Sequence, residues 1–496
     1  MTNSAGDVSQ KTKQSVMWYS TLPFATHMIR FLNSLLLARI LAPEDFGIIG
    51  IITVILYYSD TFTDFGFAKA IINREQAPRA VFDTYFAFNL FVSLTILVIF
   101  QLNASNIASY FDIPELEAAV QVFTLMVVIT AVSAPMKVKM RRELNFKALA
   151  LIEAFKVAVS ISFSLTLALN GYGFWALITA MLVAQTATLI PLSVVTRYVP
   201  LPVFSWSLMR DLFRFGKWDF LSGQLQLVAN NIDKLIIGKS LGAAQVGFYD
   251  KAMGLAKMPH DQISIKIANI AFSTFSRTRQ NADELMYYFR RLTATNAVII
   301  CPLLAGFAAV AEPFVMLILG DKWAPMITSL VLLCASFAIS ALANPVESIN
   351  IASGKIALQT ALSLVLTSGL VVSMLAVVSE GIEAVATVVL IFHIARVVFA
   401  SMLLCFHLRL PLITIVAPLW LPVLASFVML VTLKVADATA LAEHSDLLRL
   451  AILIPAGGII YLTLVWIIPS QDCEFIKRKT VNKLRKLFRK QGPTHV

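Results

Sequence analysis

Stretches of about twenty apolar residues follow one another along almost the whole chain, parted only by short polar loops. As a helix, such a stretch is long enough to cross the hydrocarbon of a bilayer. Lipid offers no partner for backbone N–H and C=O groups, so helices are what these segments can form. Fourteen segments are legible, centred near residues 28, 57, 92, 126, 158, 184, 227, 258, 300, 335, 366, 394, 423 and 458. Those around 57, 227 and 258 carry several polar residues and give the weakest signal. The 496 residues are 58% hydrophobic and 14% charged, whereas soluble domains are about a quarter charged. The chain lacks the polar surface a soluble protein of this size needs. A cytosolic enzyme, a disordered chain and a disulfide-rich scaffold are excluded.

Charge tests the count. Lys and Arg stay on the cytoplasmic side of short loops. With the N-terminus inside, the cytoplasmic segments are 1–17, 71–80, 137–147, 197–217, 274–291, 351–356, 407–410 and 471–496, which together hold 27 Lys/Arg. The opposite segments (39–46, 102–117, 170–173, 239–247, 320–324, 380–383 and 434–449) hold five: Arg39, Lys239, Lys322, Lys434 and Arg449. Deleting one crossing inverts every later loop and scrambles this ratio. An all-α integral membrane protein with about fourteen transmembrane helices and both ends cytoplasmic is the consistent reading. Polar residues 1–17 lead straight into an apolar segment, so no cleavable leader is expected.

No loop exceeds about twenty residues, which leaves no room for an extramembrane catalytic domain. The longest, 197–217, sets Phe204, Trp206, Leu208, Leu212, Phe213 and Phe215 among Arg210 and Arg214. That pattern is expected to form an amphipathic surface helix. The tail 471–496 resembles it, and both are expected to bind anionic phospholipid. Cys301, Cys334, Cys405 and Cys473 show no paired spacing. The histidines do not cluster at metal-ligand spacing, so no metal site or cofactor is expected. Gly238-Lys239-Ser240 lacks the earlier glycine of a phosphate-binding loop, position 233 being Asp.

Two stretches match without a gap at an offset of 200. Trp18 answers Trp218, Leu35 answers Leu235, Arg39 answers Lys239, Leu41 answers Leu241 and Gly47 answers Gly247. Six spans separate the copies, so both start on the same side. Two pseudo-symmetric six-helix lobes plus two extra C-terminal helices are expected, as in transporters built from repeats. The expected division is a cytoplasmic N-terminus (1–17), an N-lobe (18–196), the amphipathic linker (197–217), a C-lobe (218–408), spans 13 and 14 (409–470) and a basic tail (471–496).

Polar residues recur at helical spacing in four spans. Span 1 has His27, Arg30 and Ser34; span 2 has Thr53, Tyr57, Asp60 and Asp64. Span 7 has Asp219, Ser222, Gln226, Asn230 and Asp233, then Lys234; span 8 has Asp250, Lys251, Gly254, Lys257, Asp261 and Ser264. A charge facing lipid costs roughly 2.5–3.5 kcal/mol at the helix centre. These residues are therefore expected to enclose a hydrated cavity between the lobes, although ion pairing that merely glues helices is the alternative. On the first reading His27, Arg30, Lys234, Lys251 and Lys257 are the cationic substrate-binding set. Asp60, Asp64, Asp233 and Asp261 take up a coupling ion, H+ or Na+, or balance charge. Tyr57, Gln226 and Asn230 line the cavity.

The stretches LARILAPEDFGIIG and TDFGFAKAIINRE resemble the N-terminal signature of bacterial oligosaccharide flippases. NNIDKLIIGKSLGAAQVGFYDKAMGLAKMPHDQISIKIANIAFSTFSR resembles their second-half motif. The chain is similar to the colanic-acid-exporter-like branch of the polysaccharide transporter family, within the superfamily of multidrug extruders and the lipid II flippase. The resemblance, over residues 15–470, implies a non-enzymatic inner-membrane carrier. Its cargo would be undecaprenyl-diphosphate-linked sugar repeats for exopolysaccharide or lipopolysaccharide synthesis, moved by alternating access. Polysaccharide polymerase and chain-length machinery would be its partners, and nucleic acid would not. A drug exporter of the same superfamily, a membrane glycan polymerase or glycosyltransferase, and an assembly scaffold are the rival readings.

Overall fold

The computed structural model describes residues 22, 24–470, 472 and 474, with the side chains of 215–219, 221–226, 228 and 229 left undescribed. Trp18, Trp218, Gln226 and the basic tail beyond 474 thus lie outside the described residues or side chains. Helices account for the described fold, and no strand occurs among the described residues. In order they are α1 (24–40), α2 (Pro43–Asp64), α3 (Phe67–Asn73), α4 (Arg79–Phe111), α5 (Glu115–Phe123), α6 (Leu125–Arg142), α7 (Phe146–Leu169), α8 (Trp175–Ala187), α9 (Leu189–Thr196) and α10 (Trp206–Leu241). Then come α11 (Ala243–Pro259), a π-helical turn (His260–Ser264), α12 (Ile265–Thr278), α13 (Ala282–Ala309), α14 (Ala311–Phe314), α15 (Ile327–Ala352), α16 (Ile356–Val377), α17 (Ile382–Leu408), α18 (Ile413–Val416), α19 (Trp420–Ala440) and α20 (Asp446–Ile467).

Eleven stretches of helix among the described residues are long and apolar enough to cross a membrane. Helix α2, expected to be weak, is one of them. The other three expected crossings are helical too, as α1, α10 and α11–α12, but fall outside that standard. Helix α1 has only seventeen consecutive described residues, and the other two carry charges along their length.

The helix ends follow local chemistry. Pro43 opens α2 in its first turn, and Asp45 Oδ2 accepts the Ala42 N–H at 2.9 Å. At the other end Phe65 (φ 46°) and Gly66 (φ 75°) are both left-handed, which breaks the chain before α3. Asn145 and Asn281 cap α7 and α13 by accepting the N–H of Ala148 and Glu284.

One expectation is corrected. Residues 197–217 do not form a separate surface helix. Pro200 and Pro202 keep 197–205 non-helical, and from Trp206 the helix runs unbroken into α10. Leu212 is buried, and Phe213 packs with Phe65, Phe67 and Phe88 at centroid distances of 4.9–5.6 Å. This part of α10 therefore buries Met209 and Leu212 on one face and leaves Trp206, Arg210 and Arg214 exposed on the other.

The chain divides into two compact units, residues up to Asp250 and residues from Lys251. In the first, α10 packs on α2, α3 and α4, and the core gathers Phe67, Tyr85, Met136, Met140, Leu192 and Leu212. In the second, α15 is central, contacting α12, α13 and α17, while α13, α19 and α20 share a further apolar cluster.

A basic cleft in the first unit

Helices α1, α6 and α7 converge on a cleft of about 240 Å³ lined by His27, Arg30, Lys137, Arg141 and Glu153 among apolar neighbours. Spacing of i, i+4 puts Lys137 and Arg141 on one face of α6. Glu153 Oε2 lies 3.6 Å from Arg30 Nη2, and its Oε1 lies 3.5 Å from Lys137 Nζ. One carboxylate thus serves two cations. One turn further along α7, Lys156 donates to Gln185, whose Nε2 donates in turn to Ser133 at 3.2 Å. Asp60 of α2, whose Oδ1 is buried without a hydrogen-bond partner, lies within electrostatic reach of Lys137 and Lys156. Three Lys/Arg therefore face one carboxylate in the cleft, with His27 beside them, and Lys156 and Asp60 add one charge of each sign nearby. Such a surplus in a low-dielectric wall favours an anionic guest.

Of the expected cationic set, the structure brings His27 and Arg30 together here and places the others elsewhere. Lys234 is ion-paired with Asp250 at 2.5 Å. Asp233 is buried, and its Oδ1 accepts the N–H of Lys234 at 2.9 Å. Lys251 is buried, with Nζ 5.7 Å from the centroid of the Trp323 ring. Lys257 pairs with Asp261 at 2.5 Å within its own helical run. Asp64 accepts from Tyr85 Oη at 2.5 Å and from the Ala68 N–H at 3.2 Å, which caps α3. Tyr57 and Asn230 are exposed. Sequence reasoning missed Lys137, Arg141 and Glu153. The charge count assigned 137–147 to a loop, whereas α6 stays helical through Arg142. The i, i+4 spacing in KVKMRR was the available signal.

Arg142, next in line, has a different task. Its Nη1 donates to the carbonyls of Ile71 (2.9 Å) and Arg74 (2.8 Å), and its Nη2 to that of Glu75 (2.9 Å), which ties down the C-terminal end of α3. A larger hollow of about 530 Å³ beside Arg74, Glu75, Gln76 and Pro78 brings together no comparable set of charges, and Arg74 there lies 3.5 Å from Asp211.

A family model described as "Polysaccharide biosynthesis protein" matches residues 36–328. The chain is 24% identical over 464 residues to the teichuronic acid biosynthesis protein TuaB of Bacillus subtilis (strain 168), covering 92% of this chain and 96% of that one. It is 25% identical to the lipopolysaccharide biosynthesis protein WzxC of Escherichia coli (strain K12), over 70% of this chain and 71% of that one. Among solved structures, the lipid II flippase MurJ in an inward closed conformation superposes with a TM-score of 0.74 at 13% identity, over 90% of this chain and 98% of that one. That likeness is one of fold.

Proposed function

Because the chain belongs to the polysaccharide biosynthesis protein family, we propose that it carries undecaprenyl-diphosphate-linked oligosaccharide repeats across the bacterial inner membrane, for exopolysaccharide or lipopolysaccharide synthesis. It acts by alternating access as a carrier and not as an enzyme. Fourteen crossings with both ends cytoplasmic complete the reading, supported by the asymmetry of loop charge. The observation that carries it is the basic cleft on α1, α6 and α7. A diphosphate and sugars cannot cross hydrocarbon unaided, whereas a polyprenyl tail stays at ease in lipid. Arg30, Lys137 and Arg141 supply charge-assisted hydrogen bonds to phosphate oxygens. Glu153 holds two of these cations in place while the cleft is empty and gives way when a stronger anion arrives. His27 completes the lining, and Lys156 adds positive charge behind it.

Arg30→Gln/Lys137→Gln in a strain lacking the native copy is the test. The variant is expected to accumulate to normal levels but to leave lipid-linked repeats in the cytoplasmic leaflet, with surface polysaccharide reduced at least tenfold. Normal surface polysaccharide from that variant would remove the cleft from the transport path. The glycan on the trapped lipid identifies the cargo, and an apolar or cationic compound moved instead would favour a drug exporter.

A further inference from the structure

Pro259 cannot donate an N–H to the α-helical ladder, and the turn after it widens to π-helical geometry, with the Ile265 N–H bonded to His260 O. Such turns are frequent at functional sites. This one seats His260, 6% exposed, against α15. Its Nδ1 lies 3.1 Å from Asp261 Oδ1, and its Nε2 lies 3.2 Å from Asn344 Nδ2 and 3.5 Å from Ser340 Oγ. A neutral ring with its proton on Nδ1 satisfies all of these contacts, since Nδ1 donates to the carboxylate and Nε2 accepts.

The surrounding charges leave that balance open to one more proton. On its own helical run, Asp261 Oδ2 holds Lys257 at 2.5 Å, and Lys266 lies 3.1 Å from Gln262 Oε1. From α15 comes Glu347, clamped by both nitrogens of a fork from Arg396 of α17 at 2.6 Å each. Arg396 Nη1 also donates to Ser340 Oγ at 3.3 Å. His393 of α17 is engaged with Ser336 at 2.7 Å. Helix α13, which also packs on the turn, has no charged residue from 293 to 309. Glu347 and Arg396 neutralise each other, so Asp261 is the carboxylate that answers both Lys257 and His260.

We propose that His260 is a proton-binding site and that protonation transfers Asp261 from Lys257 to the imidazolium, loosening α11 where it meets the π turn. The proton comes from water and ends on Nε2, which then needs an acceptor. Asn344 or Ser340 must rotate to supply an oxygen. Lys257 is 39% exposed, so its ammonium is not enclosed by protein once released. The π turn thereby becomes a pH-gated joint, and the inference stands on this geometry whatever the cargo is.

Hydrogen–deuterium exchange over residues 251–264 of the purified full-length chain, corrected for intrinsic rates, reads the joint without cargo between about pH 5 and 8, where imidazoles titrate. Exchange is expected to rise as the pH falls. His260→Gln should give a flat profile. Lys257→Gln removes the pair that protonation is proposed to release, so at neutral pH its residues 251–257 should already exchange as fast as those of the wild type do in acid. A flat wild-type profile, an unchanged profile in His260→Gln or neutral-pH exchange in Lys257→Gln no faster than in the wild type would each overturn the proposal. Should His260→Gln fail to fold, the Lys257→Gln comparison decides.

Discussion

A missing methyl group explains the positions that give this sequence its signature. A Cβ on Gly47 would lie 1.7 Å from the carbonyl oxygen of Ala243, and one on Gly247 would lie 1.9 Å from that of Pro43. Helix α2 and the first turns of α11 therefore cross backbone on backbone, each glycine facing the residue that stands at its partner's N-terminal end. The four positions are related by the offset of 200, so the repeat legible in the sequence is also a contact. Gly47→Ala is expected to lower stability by about 3 kcal/mol, the upper end of overpacking costs, because the obstacle is a backbone atom that cannot rotate away. Gly254, inside α11, has open space around its absent Cβ, and Gly254→Ala should instead stabilise by roughly 0.5–1 kcal/mol. Thermal unfolding in detergent separates the two. The TDFGF motif is explained in the same way. Asp64 caps α3, Gly66 permits the left-handed turn, and buried Tyr85 donates to Asp64 at 2.5 Å. Tyr85→Phe leaves that carboxylate one donor short inside the protein and should cost about 1–3 kcal/mol by the same measurement.

At the scale of elements, periodicity located the helices but not how far they extend. The apolar run of α6 ends near Pro135, yet the helix continues through four basic positions to Arg142 because that last turn is held from outside. The three carbonyls that Arg142 ties down come from the end of α3 and the residues after it, a long-range contact that no local pattern encodes. Arg142→Lys keeps the charge but loses the planar fork. It should free residues 71–75 to trypsin while leaving α7 protected, as limited proteolysis with mass spectrometry would show. The segment before α10 is held by an equally non-local clasp. Asp83 Oδ1 accepts from Tyr198 Oη at 2.6 Å and from the Leu201 N–H at 3.1 Å, and Arg79 pairs with Asp83 at 3.2 Å. Burial, then the Asp83 carboxylate, pushes the Tyr198 phenol well above its ordinary value of 10. Raised in the folded state, this phenol stays protonated where an unfolded one ionises. The clasp thus contributes fully below pH 10, and its contribution falls as the pH rises beyond that. Proteolysis between 197 and 205 should quicken above pH 10 in the wild type. Tyr198→Phe should remove that alkaline step.

Over the whole molecule, charge is where sequence and structure agree in kind and differ in assignment. Ionisable residues inside apolar segments had to be paired or hydrated, and the stripes containing Arg30, Asp60, Lys234, Asp250, Lys257 and Asp261 signalled that. Apart from Lys257 and Asp261, four residues apart on one helical run, which charges neutralise one another depends on side-chain reach between helices, and spacing is silent about it. Lys234 shows the consequence. The stripe made it a candidate for the cargo, whereas its 2.5 Å pair with Asp250 gives it a structural task. Removing one member of a fully buried pair strands the other at a cost of about 3–5 kcal/mol, and of less for this partly buried one, while replacing both with apolar groups of similar volume is often neutral or stabilising. Lys234→Met alone should therefore deplete folded protein and, with it, transport. Lys234→Met/Asp250→Leu should restore both, because no cation is missing from the α1–α6–α7 cleft. The abundance of folded carrier and the amount of surface polysaccharide are measured together in the same cells. If folding returns in the double variant but polysaccharide does not, the lysine handles cargo as well as its aspartate, and the anion's path extends beyond the cleft to α10.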